Sequence, residues 1–254
     1  MQLWLCPLLA FLLGSIPFGL LIAKARGIDI RKEGSGNIGA TNVLRVMGKR
    51  YGIGCLLLDA LKGFIPTLVA INLIRFSGEP TGMVIDFLQP CADELPSDRQ
   101  FTAQLMQVLT GLCAILGHNY SPWVRFKGGK GIATSAGVVI ALMPAAIVIL
   151  LLFWYLLFVI TRYVSVASIG TVAILPVLTH LGARFHHLHN DPTLPTLWQA
   201  GSWNKPLFAF SVIVAVLGIW KHRTNIQRLR AGTEHRFERR SKTEDSKTED
   251  RRQE

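Results

Sequence analysis

The sequence predicts an all-α, polytopic integral membrane protein of about seven transmembrane helices, with its N-terminus outside and its C-terminus cytoplasmic. Three observations carry that expectation. Half of the 254 residues are hydrophobic, only 17% are charged, and the mean hydropathy is +0.36, a composition that suits a chain in lipid better than a soluble domain. Apolar stretches near the ~20 residues that a span requires recur along the chain. The basic residues between them gather into clusters that can all be placed on one side of a membrane.

The clear apolar stretches are 3–25, 51–75, 101–118, 165–183 and the rather short 206–220. The first has the look of a secretory leader, but no basic residue precedes it, and Lys24, Arg26, Arg31 and Lys32 follow it. That charge order predicts a retained span with its N-terminus outside. The long apolar run between Gly131 and Arg162 decides the topology. As one helix it would set the first loop (Lys24, Arg26, Arg31, Lys32, Arg45, Lys49, Arg50) and the eleven Lys and Arg from Lys221 onward on opposite sides. As two short spans turning near Pro144 it puts every basic cluster inside. The outside segments are then 76–100, with Glu79, Asp86, Asp93, Glu94 and Asp98, and 184–205, poor in Lys and Arg. Two spans in so short a run are thin or re-entrant.

Residues 1–237 form one transmembrane domain. Residues 238–254 repeat Ser-Lys-Thr-Glu-Asp at 241–245 and 246–250; lacking apolar residues there, the repeats cannot bury a core, and a disordered charged tail is expected. The net charge of +11 calls for an anionic partner: lipid headgroups, nucleic acid or a phosphorylated metabolite. Cys6, Cys55, Cys91 and Cys113 are scattered without metal-ligand spacing and suit small buried hydrophobes.

The inside loops have the composition of anion sites. The first runs Gly34-Ser35-Gly36-Asn37-Ile38-Gly39-Ala40-Thr41-Asn42-Val43-Leu44-Arg45. Its glycines, hydroxyls and amides make a mobile, donor-rich backbone able to wrap an anion, although the same residues also suit a plain flexible connection. The second contains Gly117-His118-Asn119-Tyr120 and then Lys127-Gly128-Gly129-Lys130-Gly131-Ile132. Gly-Gly-Lys-Gly opens a helix there, and a helix N-terminus offers free amides and a positive dipole end to phosphate. The P-loop spacing is absent, so a soluble nucleotide-binding domain is unsupported. The third, Lys221-His222-Arg223-Thr224-Asn225-Ile226-Gln227-Arg228, follows the last span. A basic flank is ordinary there, but it needs no His222 and Asn225 at helical i, i+3 spacing with Arg228 one step on.

Asp59 and Lys62 lie inside an apolar stretch. Charges at membrane depth are costly and are paired or functional; here either the two pair with each other or Lys62 reaches the anionic site. Arg162, Ser165 and Ser168 fall near the inner face. His186 and Asp191 share the His, four residues, Asp spacing of the acyl-CoA-dependent glycerolipid acyltransferases. The expected topology leaves them outside, where cytosolic thioesters do not reach.

Residues Gly34–Asn42, Gly128–Thr134 and His222–Leu229 resemble, in order and spacing, the three motifs of the bacterial acyl-phosphate:glycerol-3-phosphate acyltransferase family (PlsY), and Asp59–Gly63 fits the same pattern. The resemblance covers about residues 1–236 and leaves the charged tail out. It implies a multi-pass enzyme of the bacterial plasma (inner) membrane with its active site facing the cytoplasm. Such an enzyme transfers a fatty acyl group from acyl phosphate to the 1-hydroxyl of sn-glycerol 3-phosphate. The products are lysophosphatidic acid and phosphate, in the first step of phospholipid synthesis. The resemblance implies neither cofactor nor metal, and no nucleic acid as a partner; the partners are the two substrates and membrane lipid.

Motif by motif, it implies that Ser35 and Arg45 stand at the acyl-phosphate centre, with Asn37, Thr41 and Asn42 nearby. Gly128, Gly129, Lys130 and Gly131 would hold the phosphate of glycerol 3-phosphate, helped by Lys62, Lys127, Arg223 and Arg228. His222 and Asn225 would orient or help deprotonate the attacking hydroxyl, the base being either His222 or a substrate phosphate oxygen, and Glu234 would brace the segment. The chemistry agrees with the residues: an acyl phosphate is already activated, so positioning and charge stabilisation suffice. Two rivals stand beside this, a transporter for an anionic metabolite and a thioester-dependent acyltransferase using His186 and Asp191. The first lacks an inverted repeat and has its polar motifs on one face. Cysteine labelling of intact cells checks the sidedness. Positions near 90 and 195 should react from outside, and those near 40, 127 and 235 only after permeabilisation; the reverse pattern at 127 and 195 would overturn the topology.

Overall fold

In lipid the backbone has to satisfy its own hydrogen bonds, and a helix does so within one segment. The computed structural model of the chain describes residues 2–76, 83–190 and 204–237, with Gln2 and residues 185–190 by their backbone alone. Its helices are α1 (Gln2–Gly14), α2 (Phe18–Lys24), α3 (Ala40–Met47), α4 (Lys49–Leu73), α5 (Gln100–Asn119), α6 (Ile132–Leu142), α7 (Pro144–Thr161), α8 (Val164–Asn190), α9 (Lys205–Lys221) and α10 (Arg223–Arg230). Two three-residue strands, β1 (Ile74–Phe76) and β2 (Asp93–Leu95), pair in parallel with Ile74 opposite Asp93.

Five segments are long and apolar enough to cross a membrane: Leu3–Lys24, Lys49–Leu73, Ser97–Val124, Pro144–Thr161 and Val164–Arg184. A sixth counts if α9 and α10, bent by 51° to each other, form one span. The apolar run after Gly131 is broken at Met143, next to Pro144, into two helices. Its two arms are unequal, however. α7 has 18 residues; α6 has 11 and at 1.5 Å per residue is only about 16 Å long, short of a full crossing.

Polarity runs inward. Asp59, Lys62, Gln104, Gln107, Thr110 and His118 are buried, while Leu8, Leu12, Leu57, Leu61, Leu152, Leu156 and Ile160 are exposed. Lipid receives the apolar faces, and the polar groups find partners inside.

The first span breaks between α1 and α2 at Ser15-Ile16-Pro17, where Pro17 has no amide to continue the ladder. Part of the first inside loop is not loop at all. Its glycines stop at Gly39, which is the N-cap of α3. From Ala40 the chain is helical and buries Val43 against α2 and α4 in a cluster with Leu20, Ile38 and Cys55. A second cluster, including Val139, Ile147, Leu150, Leu175 and Val214, joins α6 to α9. The paired strands were not expected in an all-α chain. They sit in the acidic segment, where Asn72 gathers the connection: its Nδ2 donates to the carbonyls of Leu68 and Met83, and its Oδ1 accepts from Ile85 N. Glu79 and Asp191 lie outside the described residues, as does the repeat of the charged tail.

Small residues let the helices meet backbone to backbone. A Cβ on Gly63 would strike the Thr134 carbonyl, and one on Gly137 the Ala60 carbonyl, so α4 and α6 interlock twice. Gly14 and Gly117 do the same for α1 and α5, against Ala114 and Phe11. By contrast, Gly54 on the same α4 faces open space. Gly137→Val should therefore destabilise the purified protein by about 1–3 kcal/mol through overpacking, and Gly54→Ala should leave its melting temperature unchanged or raise it. Equal melting temperatures for the two variants would refute the close approach of α4 and α6.

Candidate functional site

The three sequence motifs meet at one cavity of about 520 Å³. Ser35, Asn37, Thr41, Asn42, Arg45, Lys130, Gly131, His222, Asn225 and Arg228 line one end of it, together with Glu234. Ile53, Leu56, Val139, Ile147, Leu150, Trp154, Val172, Leu175 and Val214 line the rest. A polar, basic mouth thus opens into an apolar channel between α4, α6, α7, α8 and α9.

The first wall is the turn before α3. Gly34 and Gly36 take φ of +58° and +71°, a region in which an L side chain is strained. The turn is pinned by Asn42, only 1% exposed. Its Nδ2 donates to the carbonyls of Ile30 (3.2 Å), Glu33 (3.0 Å) and Asn37 (2.9 Å), and its Oδ1 accepts from Ser35 N (2.8 Å). Asn42 was expected as a substrate donor; its amide is instead spent on shaping the loop. Asn37 Oδ1 accepts from Gly39 N at 2.8 Å, and its Nδ2 has no partner among the described residues. Among the described residues the Ser35 and Thr41 hydroxyls and the Arg45 guanidinium have no side-chain partner, so they remain available to a ligand.

The second wall is the start of α6. Gly131 is its N-cap with φ of +83°. The first helical amides, those of Ile132 and Ala133, have no intrahelical acceptor, and both residues line the cavity. Gly128 and Gly129 do not. They run behind the cavity, against the end of α5: Gly129 N donates to the His118 carbonyl at 3.1 Å, and a Cβ at Gly128 or Gly129 would strike His118 before reaching any ligand. These glycines were expected to touch the phosphate; here they buy close packing for the turn. Lys127, expected as a phosphate contact, is exposed and outside the cavity.

The third wall is the bend at His222. Its Nδ1 lies 2.7 Å from the Gly218 carbonyl. A carbonyl only accepts, so Nδ1 carries a proton, and in the neutral ring Nε2 presents a lone pair to the cavity. Asn225 and Arg228 share a face of α10. Asn225 Oδ1 accepts from Lys130 Nζ, and its Nδ2 donates to Glu234 Oε1 at 2.6 Å. Arg228 Nε donates to Glu234 Oε2 at 2.9 Å. Glu234 therefore braces the segment, as expected. Burial works against its charge, but the hydrogen bonds from Asn225 and Arg228 hold its carboxyl below the usual range. Burial also pushes the Lys130 ammonium down to about 8, with Glu234 opposing and Arg228 and Arg45 adding to the shift. Arg223 points away: it is exposed and lies over the Trp220 ring at 4.4 Å.

Lys62 does not reach the cavity. Of the two readings of this charge, pairing prevails: Lys62 Nζ is 2.8 Å from Asp59 Oδ1 and donates to the Ile16 carbonyl at 2.9 Å. Its partner Asp59, and His118 at 3.6 Å from Asp59, do reach the cavity wall. From sequence Asp59 was assigned only as the ion-pair partner of Lys62, and His118 was assigned no role. Ser165 and Ser168 also line the cavity, with Trp154 Nε1 donating to Ser168 Oγ at 3.2 Å. His235 and Phe237 close one side. Phe237 N donates to the Arg162 carbonyl at 3.0 Å, and its ring meets Phe158 edge-on. The side chain of His186 and the whole of Asp191 lie outside the described residues.

A cationic, donor-rich mouth joined to an apolar channel fits an amphipathic molecule with an anionic head. Comparison with known proteins points the same way. The family described as glycerol-3-phosphate acyltransferase matches residues 4–232. A glycerol-3-phosphate acyltransferase of Geotalea daltonii is 42% identical over 91% of this chain and 95% of its own length. One of Aquifex aeolicus is 40% identical over 90% and 95%. The crystal structure of PlsY (YgiH), an integral membrane glycerol 3-phosphate acyltransferase, in its glycerol 3-phosphate form superposes with a TM-score of 0.72 at 34% identity, covering 94% of this chain and 96% of that one. Its lysophosphatidic acid form gives 0.67 at the same identity and coverage.

Proposed function

The chain belongs to the glycerol-3-phosphate acyltransferase family, and on that footing we propose that its acyl donor is an acyl phosphate and that the two halves of the cavity divide the chemistry between them. It is a multi-pass membrane enzyme that acylates glycerol 3-phosphate to lysophosphatidic acid. The observation that carries the proposal is the union of a basic, donor-rich mouth with an apolar channel in one cavity. An acyl phosphate has that shape: an anionic head on a long apolar chain. A CoA or carrier-protein thioester would need a large polar surface beside the mouth.

Glycerol 3-phosphate sets its phosphate on the amides that begin α6, beside Lys130. The acyl phosphate sets its own phosphate between Ser35, Asn37 and Arg45, with its chain in the channel past Leu56, Leu150 and Trp154. Holding two anions side by side is opposed by their charge, and Arg45, Lys130 and Arg228 offset that repulsion. The 1-hydroxyl then attacks the acyl carbonyl carbon. A C–O ester bond forms, the C–O bond to phosphate breaks, and inorganic phosphate leaves with the bonding pair. The hydroxyl proton passes either to His222 Nε2 or to an oxygen of the departing phosphate. Asn225, fixed between Lys130 and Glu234, orients the hydroxyl. Positioning and charge stabilisation together account for a large rate gain without a covalent intermediate.

The seven-crossing topology completes the proposal. α6 and α7 act as a short and a full arm of one hairpin, so every basic cluster and the mouth of the site face the cytoplasm of a bacterial inner membrane.

Purified protein supplied in turn with acyl phosphate, acyl-CoA and acyl-carrier protein should make lysophosphatidic acid from the first alone; turnover with either thioester at a comparable rate would sink the donor assignment. Ser35→Ala, Arg45→Ala and His222→Ala should each lower kcat about 100-fold or more. A near-normal kcat in His222→Ala would leave the substrate phosphate as the base. The depressed Lys130 adds a pH signature. Its charged form is present below about 8 and is lost above it, so KM for glycerol 3-phosphate should climb as pH rises through that value, and Lys130→Arg should flatten the climb. A KM that is flat up to pH 9.5 in the parent enzyme would remove Lys130 from phosphate binding.

A further inference from the structure

We propose that Asp59 and His118 are positioning residues which set the height and tilt of the Gly128–Gly131 turn, and so aim the first amides of α6 at the substrate phosphate. This rests on the assignment of those amides to glycerol 3-phosphate.

The geometry is a chain of three contacts. Asp59, on α4, holds Lys62 Nζ at 2.8 Å and lies 3.6 Å from His118 Nδ1 on α5. His118 accepts the Gly129 amide on its carbonyl at 3.1 Å. The His118 ring then lies flush against Gly129, where a Cβ would overlap Nε2. The neighbouring residues repeat the pattern: a Cβ on Gly128 would overlap the His118 carbonyl, and one on Gly131 would stand 2.7 Å from Asn119 Oδ1. Three of the four residues of the turn are thus seated on His118 and Asn119, the last turn of α5. A small rotation of the imidazole has to move the backbone that carries the amides.

Pairing alone does not explain the cluster. Asp59 and Lys62 already neutralise each other, and Lys62 is further anchored on the Ile16 carbonyl at the break between α1 and α2. A third ionisable group, buried to 5% exposure, is costly in a span unless it is used. His118 and Asp59 both line the cavity, whereas Lys62 does not. The cluster therefore links the break in the first span to the phosphate end of the site, with the imidazole as the group that touches the turn. A merely structural role would lower stability and leave substrate affinity alone.

Equilibrium binding of radiolabelled glycerol 3-phosphate to the purified full-length protein, without acyl donor, tests this independently of the donor assignment. Each variant is first checked for a cooperative melt. His118→Leu should weaken binding about tenfold or more. His118→Asn places an amide N–H near Nδ1 and should stay within about threefold of the parent. Gly129→Ala should also lose about tenfold, because its methyl displaces the ring. The double variant His118→Ala/Gly129→Ala should bind no worse than Gly129→Ala, since the collision is gone. With acyl phosphate and saturating glycerol 3-phosphate, kcat should stay within a few-fold throughout. Parent-like binding by His118→Leu, multiplied losses in the double variant, or a fall in kcat with unchanged affinity would each overturn the proposal. Should Gly129→Ala not fold, the contrast between His118→Asn and His118→Leu decides alone. No binding by the parent protein would refute the phosphate assignment itself, and this proposal with it.

Discussion

A polar group carried into lipid has to find its partner inside the protein, and the rest of this structure depends on that constraint. Asp59 and Lys62 satisfy it by pairing at 2.8 Å. Gln107 satisfies it by donating to the Ile74 carbonyl at 2.7 Å. Ser121 does so through the Ser15 carbonyl at 2.6 Å. The last two bonds tie α5 and the turn after it to the ends of α4 and α1. Among the described residues the Ser35 and Thr41 hydroxyls and the exposed Arg45 guanidinium have no hydrogen-bond partner, and they line a space in which a charged ligand can supply one.

The broken helices serve the same economy. An intact span hides its backbone, whereas a break offers amides and carbonyls at depth. The first break gives the Ile16 carbonyl to Lys62. The turn before α6 gives amides to the cavity. The bend at His222 lets α10 turn by 51° and lay Asn225 and Arg228 over the mouth. The second and third breaks coincide with motifs that bring polar side chains, so there the irregular backbone and the polar groups of the site occupy the same few residues.

The sequence made the fold class and much of the mouth of the site legible, because membrane burial and phosphate binding both leave plain compositional marks. Apolar runs and basic flanks revealed the spans. Ser35, Arg45, Lys130, His222 and Asn225 stood out as residue types that bind anions or move protons, and all five line the cavity. Asn42 was misread because an asparagine in a glycine-rich stretch serves a ligand and a loop equally well; only the positions of Ile30, Glu33 and Asn37 decide between them. Gly128 and Gly129 were misread for a related reason. Glycine marks a close approach without saying to what, and here the approach is to His118. α3 was taken for loop because its N-terminal neighbours are glycines, although Val43 and Met47 already stand four residues apart on one apolar face. Asp59 could be read only as the partner of Lys62, and His118 could be given no role, until α4 and α5 were seen to bring the two together.

The cavity draws its lining from Ser35 at one extreme of the chain and Phe237 at the other. That distribution bears on biosynthesis. Domains form in the order in which they leave the ribosome, and this site has no early half that can work alone. The loop that carries Ser35 and Arg45 is made first and waits, open, while the later spans enter the membrane. Asn225 and Glu234, which fix Lys130, arrive last. On the proposed roles of these residues, a nascent chain would be inert until its final helix had been laid in place, and an incompletely inserted one would consume no substrate.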